Sequence, residues 1–205
     1  MTDNKAPELK PCPVAKCGTK ITPELLRGLL RYDHKTGKLY WKTRDRSLFN
    51  DNASHMSWNA RCSGKPAFRA KKHTGYLSGA VLDRRIHAHR VAWAIYHNEW
   101  PRGQIDHING NRSDNRLVNL RDVSQSVNGK NQRMSKANKS GFTGVFWCRR
   151  DQKWVAQITA NKKYYYLGAF TKIEDAVSAR IAAQIKHGFH KNHGLRALAG
   201  EKKDA

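Results

Sequence analysis

The sequence predicts an α+β protein of two modules, and three observations lead there. Residues 104–132, QIDHINGNRSDNRLVNLRDVSQSVNGKNQ, read as strand, loop, strand, helix, with oxygen and imidazole side chains concentrated where the pieces would meet. From Gly141 the pattern changes to short alternating strands divided by clear turns and closed by one helix. Between them RMSKANKS (Arg133–Ser140) is basic, poor in apolar residues and without period, so a linker is placed at 133–139.

Residues 1–20 carry prolines and lysines without period and read as a flexible lead. Thr22-Pro23-Glu24 is a helix start: a capping hydroxyl, a proline whose fixed φ suits the first turn, and an acid at the dipole's positive end. Leu25, Leu26, Leu29 and Leu30 follow at helical spacing. Asp33–Gly37 is a turn into a strand, Lys38–Trp41. Residues 43–64 read as an irregular polar loop, with Phe49 and Trp58 as anchors. Residues 75–82 and 85–88 read as a hairpin turning at Asp83-Arg84, and a helix runs from His89 to His97 before Trp100-Pro101 ends it. His55, His73, His87 and His97 are read as surface or packing residues.

In residues 104–132 the spacing suits phosphodiester hydrolysis. A carboxylate and an amide oxygen can supply part of a divalent cation's shell, and an adjacent histidine can take a proton from water near neutral pH. Ser124 is a good N-cap for a helix that would carry Asn128 and, one turn on, Asn131 and Gln132. With Asp-His on the first strand, Asn-Leu-Arg on the second and Asn on the helix, this stretch resembles the HNH endonucleases, whose fold is the ββα-metal unit, and above all the phage and intron-encoded homing branch. The phrase TPELLRGLLRYDHKTGKLYWK resembles the leader found in many phage HNH proteins. The resemblance implies a nuclease module over 21–132. In it Asp106 and Asn128 would be metal ligands, His107 the general base, and Asn119 a brace behind the histidine. His89, Asn131 and Gln132 stand as secondary candidates. The metal implied is Mg2+, with Mn2+ as the other option.

The second module has strands at Thr143–Arg149, Trp154–Thr159 and Tyr164–Gly168, and Thr171 with Glu174 reads as a capping box opening a helix to His187. Through SGFTGVFW, KWVAQI, YYYLGAF and HGFHKNHG, residues 140–194 resemble the Apetala-two/ethylene-response-factor DNA-binding domain, a three-stranded antiparallel sheet plus one helix that lays a sheet face into the major groove. Alternation turns Val145, Trp154, Ala156, Ile158, Tyr165 and Leu167 toward the helix. The DNA face would then carry Phe146, Cys148, Gln157, Thr159, Tyr164 and Tyr166, with Arg149 or Arg150 at the turn. Plant members place Arg in several of these slots, so their base preference does not transfer. Residues 195–205 form a tail.

Composition bounds the remainder. A formal net charge of +23 on 205 residues points to a polyanionic partner. No apolar run reaches the roughly 20 residues of a membrane span, and MTDNKAPELK has no secretory core, so the expected setting is the cytoplasm of a bacterium or of a phage-infected cell. Cys12, Cys17, Cys62 and Cys148 show no regular framework and read as free thiols, a zinc site at the first three being the minor option. The expected partner is double-stranded DNA, met as a monomer. The rival reading is a DNA-binding regulator on a catalytically decayed nuclease core; an RNA-binding protein is disfavoured because the aromatic and GxxG signatures are missing.

Overall fold

The computed structural model describes residues 18–195 except Arg133 and Lys136. Of the lead at 1–20, residues 1–17 with Cys12 and Cys17 lie outside the described residues, as do residues 196–205 of the tail at 195–205. The chain divides into two compact units, Met1–Ser124 and Gln125–Ala205.

In the first unit, helix α1 (Pro23–Leu29) starts where the sequence predicts. Thr22 Oγ1 accepts the Leu25 N–H at 3.2 Å, and Leu26 and Leu29 go into the core. Strand β1 (Leu30–Asp33) pairs antiparallel with β2 (Lys38–Trp41) across the Asp33–Gly37 turn. The segment read as irregular contains a helix, α2 (Asn52–Cys62), capped by Asp51, whose carboxylate accepts the Ser54 N–H at 2.7 Å. It buries no residue completely, so it carries no apolar period to be read. Phe49 and Trp58 do anchor this segment, their rings 6.1 Å apart with Arg44 over Trp58 at 3.9 Å.

Two short strands follow, β3 (Pro66–Ala67) against β2 and β4 (Ala70–Lys71) against β5 (Leu77–Val81). Strand β5 pairs with β6 (Arg84–His87), and the turn falls one residue earlier than expected, on Leu82 and Asp83, both left-handed as a tight hairpin turn requires. Helix α3 (Ala88–His97) buries Val91, Ala92 and Ala94. The main core joins α1, β2, β5 and α3 through Leu26, Leu30, Leu39, Val81 and Val91. Strand β7 (Gln104–His107) pairs antiparallel with β8 (Leu120–Val123), setting Asp106 opposite Arg121 and His107 opposite Leu120. Ala92, Ile105 and Leu120 form the small core that joins this ribbon to α3.

The second unit begins with α4 (Gln125–Gly129), which carries Asn128 but ends before Asn131 and Gln132. A sheet of order β11-β10-β9 follows, made of β9 (Val145–Cys148), β10 (Lys153–Ala160) and β11 (Lys163–Phe170). Helix α5 (Ile173–Lys186) packs on it, Ala176 against Val145 and Ala156. The Thr171–Glu174 capping box does not form: the N-cap is Lys172, with no side-chain cap bond, and Glu174 with Asp175 remain as first-turn acids. The units part ahead of the expected linker because 130–132 belong to the later unit. The Lys130 ammonium donates to the His187 carbonyl at 2.8 Å, and the Gly194 N–H donates to the Gln132 carbonyl at 2.9 Å.

Candidate active site

The site of the first unit is built at the end of the β7–β8 ribbon. The Asp122 carboxylate accepts the N–H groups of Arg102 and Gly103, each at 2.7 Å, and so fixes where β7 begins. Three residues into the strand, Asp106 and His107 are both buried, at 6% and 3% exposure. Arg121, across the ladder from Asp106, donates Nε and Nη2 to its Oδ2 at 2.9 and 2.7 Å. Two charge-assisted bonds to one oxygen hold the buried carboxylate in a fixed orientation.

His107 sits among rings. His89 meets it edge-on at 5.2 Å, Tyr76 lies 5.7 Å away, and His87 stacks on His89 at 5.3 Å with an 11° tilt. Burial is the chief reason that all three imidazoles have pKa values below the ordinary 6.5. For His89 the effect is large, with His107 and His87 adding to it. The Nδ1 atoms of His87 and His89 are buried without a hydrogen-bond partner. Arg112 lies over the Tyr76 ring at 4.9 Å and donates to the Thr74 carbonyl, which clamps the 74–76 turn onto the loop after His107.

That loop is held by Asn119. Its Oδ1 accepts the Asn109 N–H at 2.9 Å and its Nδ2 donates to the Asp114 carbonyl at 2.8 Å, so one buried amide ties both sides of the turn. The Asp114–Arg116 pair closes the far side. Asn115, next in line, meets His107 Nε2 at 3.1 Å.

The predicted residues therefore divide by unit. Asp106, His107, His89 and Asn119 come together in the first, whereas Asn128, Asn131 and Gln132 belong to the second. Among the described residues no cluster of three or more His, Cys, Asp or Glu forms a ready metal cage. Cys62 and Cys148 are free thiols. Reading His87 as a packing residue overlooked its place beside His89; the His-x-His spacing running out of a strand was the available signal. Tyr76 and Asn115 gave no such signal, since one is distant in sequence and the other lies in an aperiodic polar turn.

In the second unit the register puts Phe146 opposite Val155, Gln157 opposite Tyr166 and Thr159 opposite Tyr164, a different face from the one on which Val145 and Ala156 meet α5. Tyr164 and Tyr166 are more than half exposed, and Tyr164 donates its hydroxyl to Gln157 Oε1 at 2.8 Å. The register shifts between Ala156 and Gln157: Gly168 stands opposite Ala156 and Tyr166 opposite Gln157, which leaves Leu167 as an extra residue and shifts the alternation of β11 beyond it. Arg149 and Arg150 occupy the β9–β10 turn, and Arg150 is paired with Asp151 at 2.8 Å.

Comparison with known proteins finds similarity over part of this chain. Residues 87–130 match the model of the HNH endonuclease family. Protein 3.8 of Escherichia phage T7 is 33% identical over 78 residues, a stretch that covers 38% of this chain and 64% of the relative's own length. No solved structure matches. The segment from His87 to Lys130, which holds the buried Asp-His pair and its Asn119 brace, is thus similar to an HNH endonuclease domain, and a phage protein shares sequence with the chain.

Proposed function

We propose that the chain is a metal-dependent endonuclease that hydrolyses phosphodiester bonds of double-stranded DNA, as a site-preferring, homing-type nickase or cutter. The observation that carries this reading is the Asp106–His107 pair at the end of β7, walled by the rings of His89 and His87 and lying inside the HNH-matched segment. His107 is the general base. Burial favours its neutral form, which is the form able to accept a proton from the attacking water. Arg121 holds the Asp106 carboxylate in place beside it.

The donors present fit a divalent ion in kind: a buried carboxylate, and the unpartnered Nδ1 of the neutral His89 ring. Asp106 would hold the ion, probed first as Mg2+ and then as Mn2+, with Asn128 assigned as a ligand by the resemblance alone. When bound, it supplies charge stabilisation at the phosphodiester and its leaving oxygen. The second unit supplies sequence reading in the manner of an Apetala-two domain, through Phe146, Gln157, Thr159, Tyr164 and Tyr166, with Arg149 and Arg150 on the backbone. Exposed aromatics on a sheet face away from its helix support that role. Incubating the protein with supercoiled plasmid and Mg2+ or Mn2+ should convert it to nicked or linear forms on a gel. Intact plasmid under both metals overturns the reading.

A further inference from the structure

Asn115 is 1% exposed, the least accessible polar side chain around His107. Its Oδ1 lies 3.1 Å from His107 Nε2, and its Nδ2 has no hydrogen-bond partner. An amide oxygen only accepts, so the ring nitrogen facing it must carry the proton. In a neutral imidazole that leaves Nδ1 with the lone pair. The backbone of Asn115 is held from outside the HNH-matched segment. The Tyr32 hydroxyl of β1 donates to the Asn115 carbonyl at 2.7 Å, and the Leu117 N–H donates to the His34 carbonyl at 3.2 Å. Gly37, at φ +73°, lies so close that a Cβ there would stand 2.6 Å from the Asn115 carbonyl carbon.

We propose that Asn115 is a positioning residue which fixes His107 as the Nε2–H tautomer and so makes Nδ1 the basic nitrogen, and that the β1–β2 hairpin holds Asn115 in place to do it. This rests on the reading of His107 as the general base. In the opposite tautomer Nδ1 would carry the hydrogen and could accept no proton from water. In general, when a side chain only orients a base, its loss lowers turnover and leaves substrate binding intact.

The test uses the full chain labelled with 15N-histidine, with the His107 signals among the ten histidines identified by their loss in His107→Ala. Long-range 1H–15N spectra of the neutral ring separate a protonated from an unprotonated nitrogen. Wild type should show protonated Nε2 and unprotonated Nδ1. Asn115→Leu should mix the tautomers and lower kcat at least tenfold with KM for DNA unchanged. Asn115→Asp, which keeps an acceptor oxygen, should restore the wild-type tautomer and most of the rate. Tyr32→Phe, a milder change that spares the buried amide, should lower kcat in the same sense. A wild-type ring protonated at Nδ1 overturns the proposal without need of any variant, as does an Asn115→Leu protein whose tautomer is unchanged. A correct tautomer in a wild-type protein that cuts no DNA instead overturns the nuclease reading, so the two failures are separable.

Discussion

At the scale of single residues, His107 and Asn119 carry opposite kinds of prediction. Replacing His107 by Ala should lower cleavage by about 10² to 10⁴-fold, the usual worth of a positioned base, while DNA binding in a gel-shift assay stays near wild type. Cleavage at an undiminished rate would remove His107 from the chemistry. Asn119→Ala leaves the Asn109 N–H and the Asp114 carbonyl without their partner, at a cost of about 1–3 kcal/mol of stability, measurable by urea unfolding. The pH dependence follows from burial. Because the folded pKa values of His87, His89 and His107 lie below 6.5, the unfolded chain binds protons first as the solution is acidified. Stability should therefore be full above pH 6.5 and decline as pH falls below it toward the folded values. The acid limb of cleavage should likewise sit below the ordinary histidine range. Urea midpoints and kcat/KM between pH 4 and 8 check both, and a stability that rises on acidification through this window contradicts the burial argument.

Elements were legible wherever a local signal existed. Thr22-Pro23 gave α1 its first turn, alternation gave the three strands of the second unit, and the apolar stripe of Val91, Ala92, Ala94 gave α3. Helix α2 was not legible, because its residues cover other groups by halves and leave no apolar face. The Thr171 box failed because Lys172 took the cap and the dipole was met by Glu174 and Asp175. In the candidate site, order and spacing singled out the stretch that holds Asp106, His107 and Asn119, and the resemblance named the three. Of the ring wall, His89 was a secondary candidate and the His-x-His spacing pointed to His87, but Tyr76 could not be found, since it reaches the rings only through the β5–β6 hairpin. The Asp33–Gly37 turn gives the sharpest test at this scale. Gly37→Ala forces a side chain into a left-handed backbone pressed against Asn115 and Arg116, so a loss of about 1–3 kcal/mol is expected on thermal unfolding. A change within about 0.5 kcal/mol, the range of an ordinary surface substitution, would mean that the turn gives way freely.

For the molecule as a whole, a charge of +23 favours polyanions without choosing among them, so on the proposed reading selectivity comes from groups that meet base edges. The proposed division of labour predicts that Tyr164→Ala with Tyr166→Ala, both at exposed positions, leaves a folded protein that still nicks plasmid but at scattered places. Mapping nicks along a long duplex checks this, and an unaltered pattern would return site choice to the first unit. The contact between the leader hairpin and Asn115 also bears on protein engineering. The HNH-matched stretch, 87–130, has the appearance of a cassette that could be moved to another host. Yet Tyr32, His34 and Gly37, far upstream, grip its central loop. Transplanted alone, the cassette would carry the side chains proposed to react but leave behind the hand that steadies them. The smallest transferable unit therefore has to begin before β1.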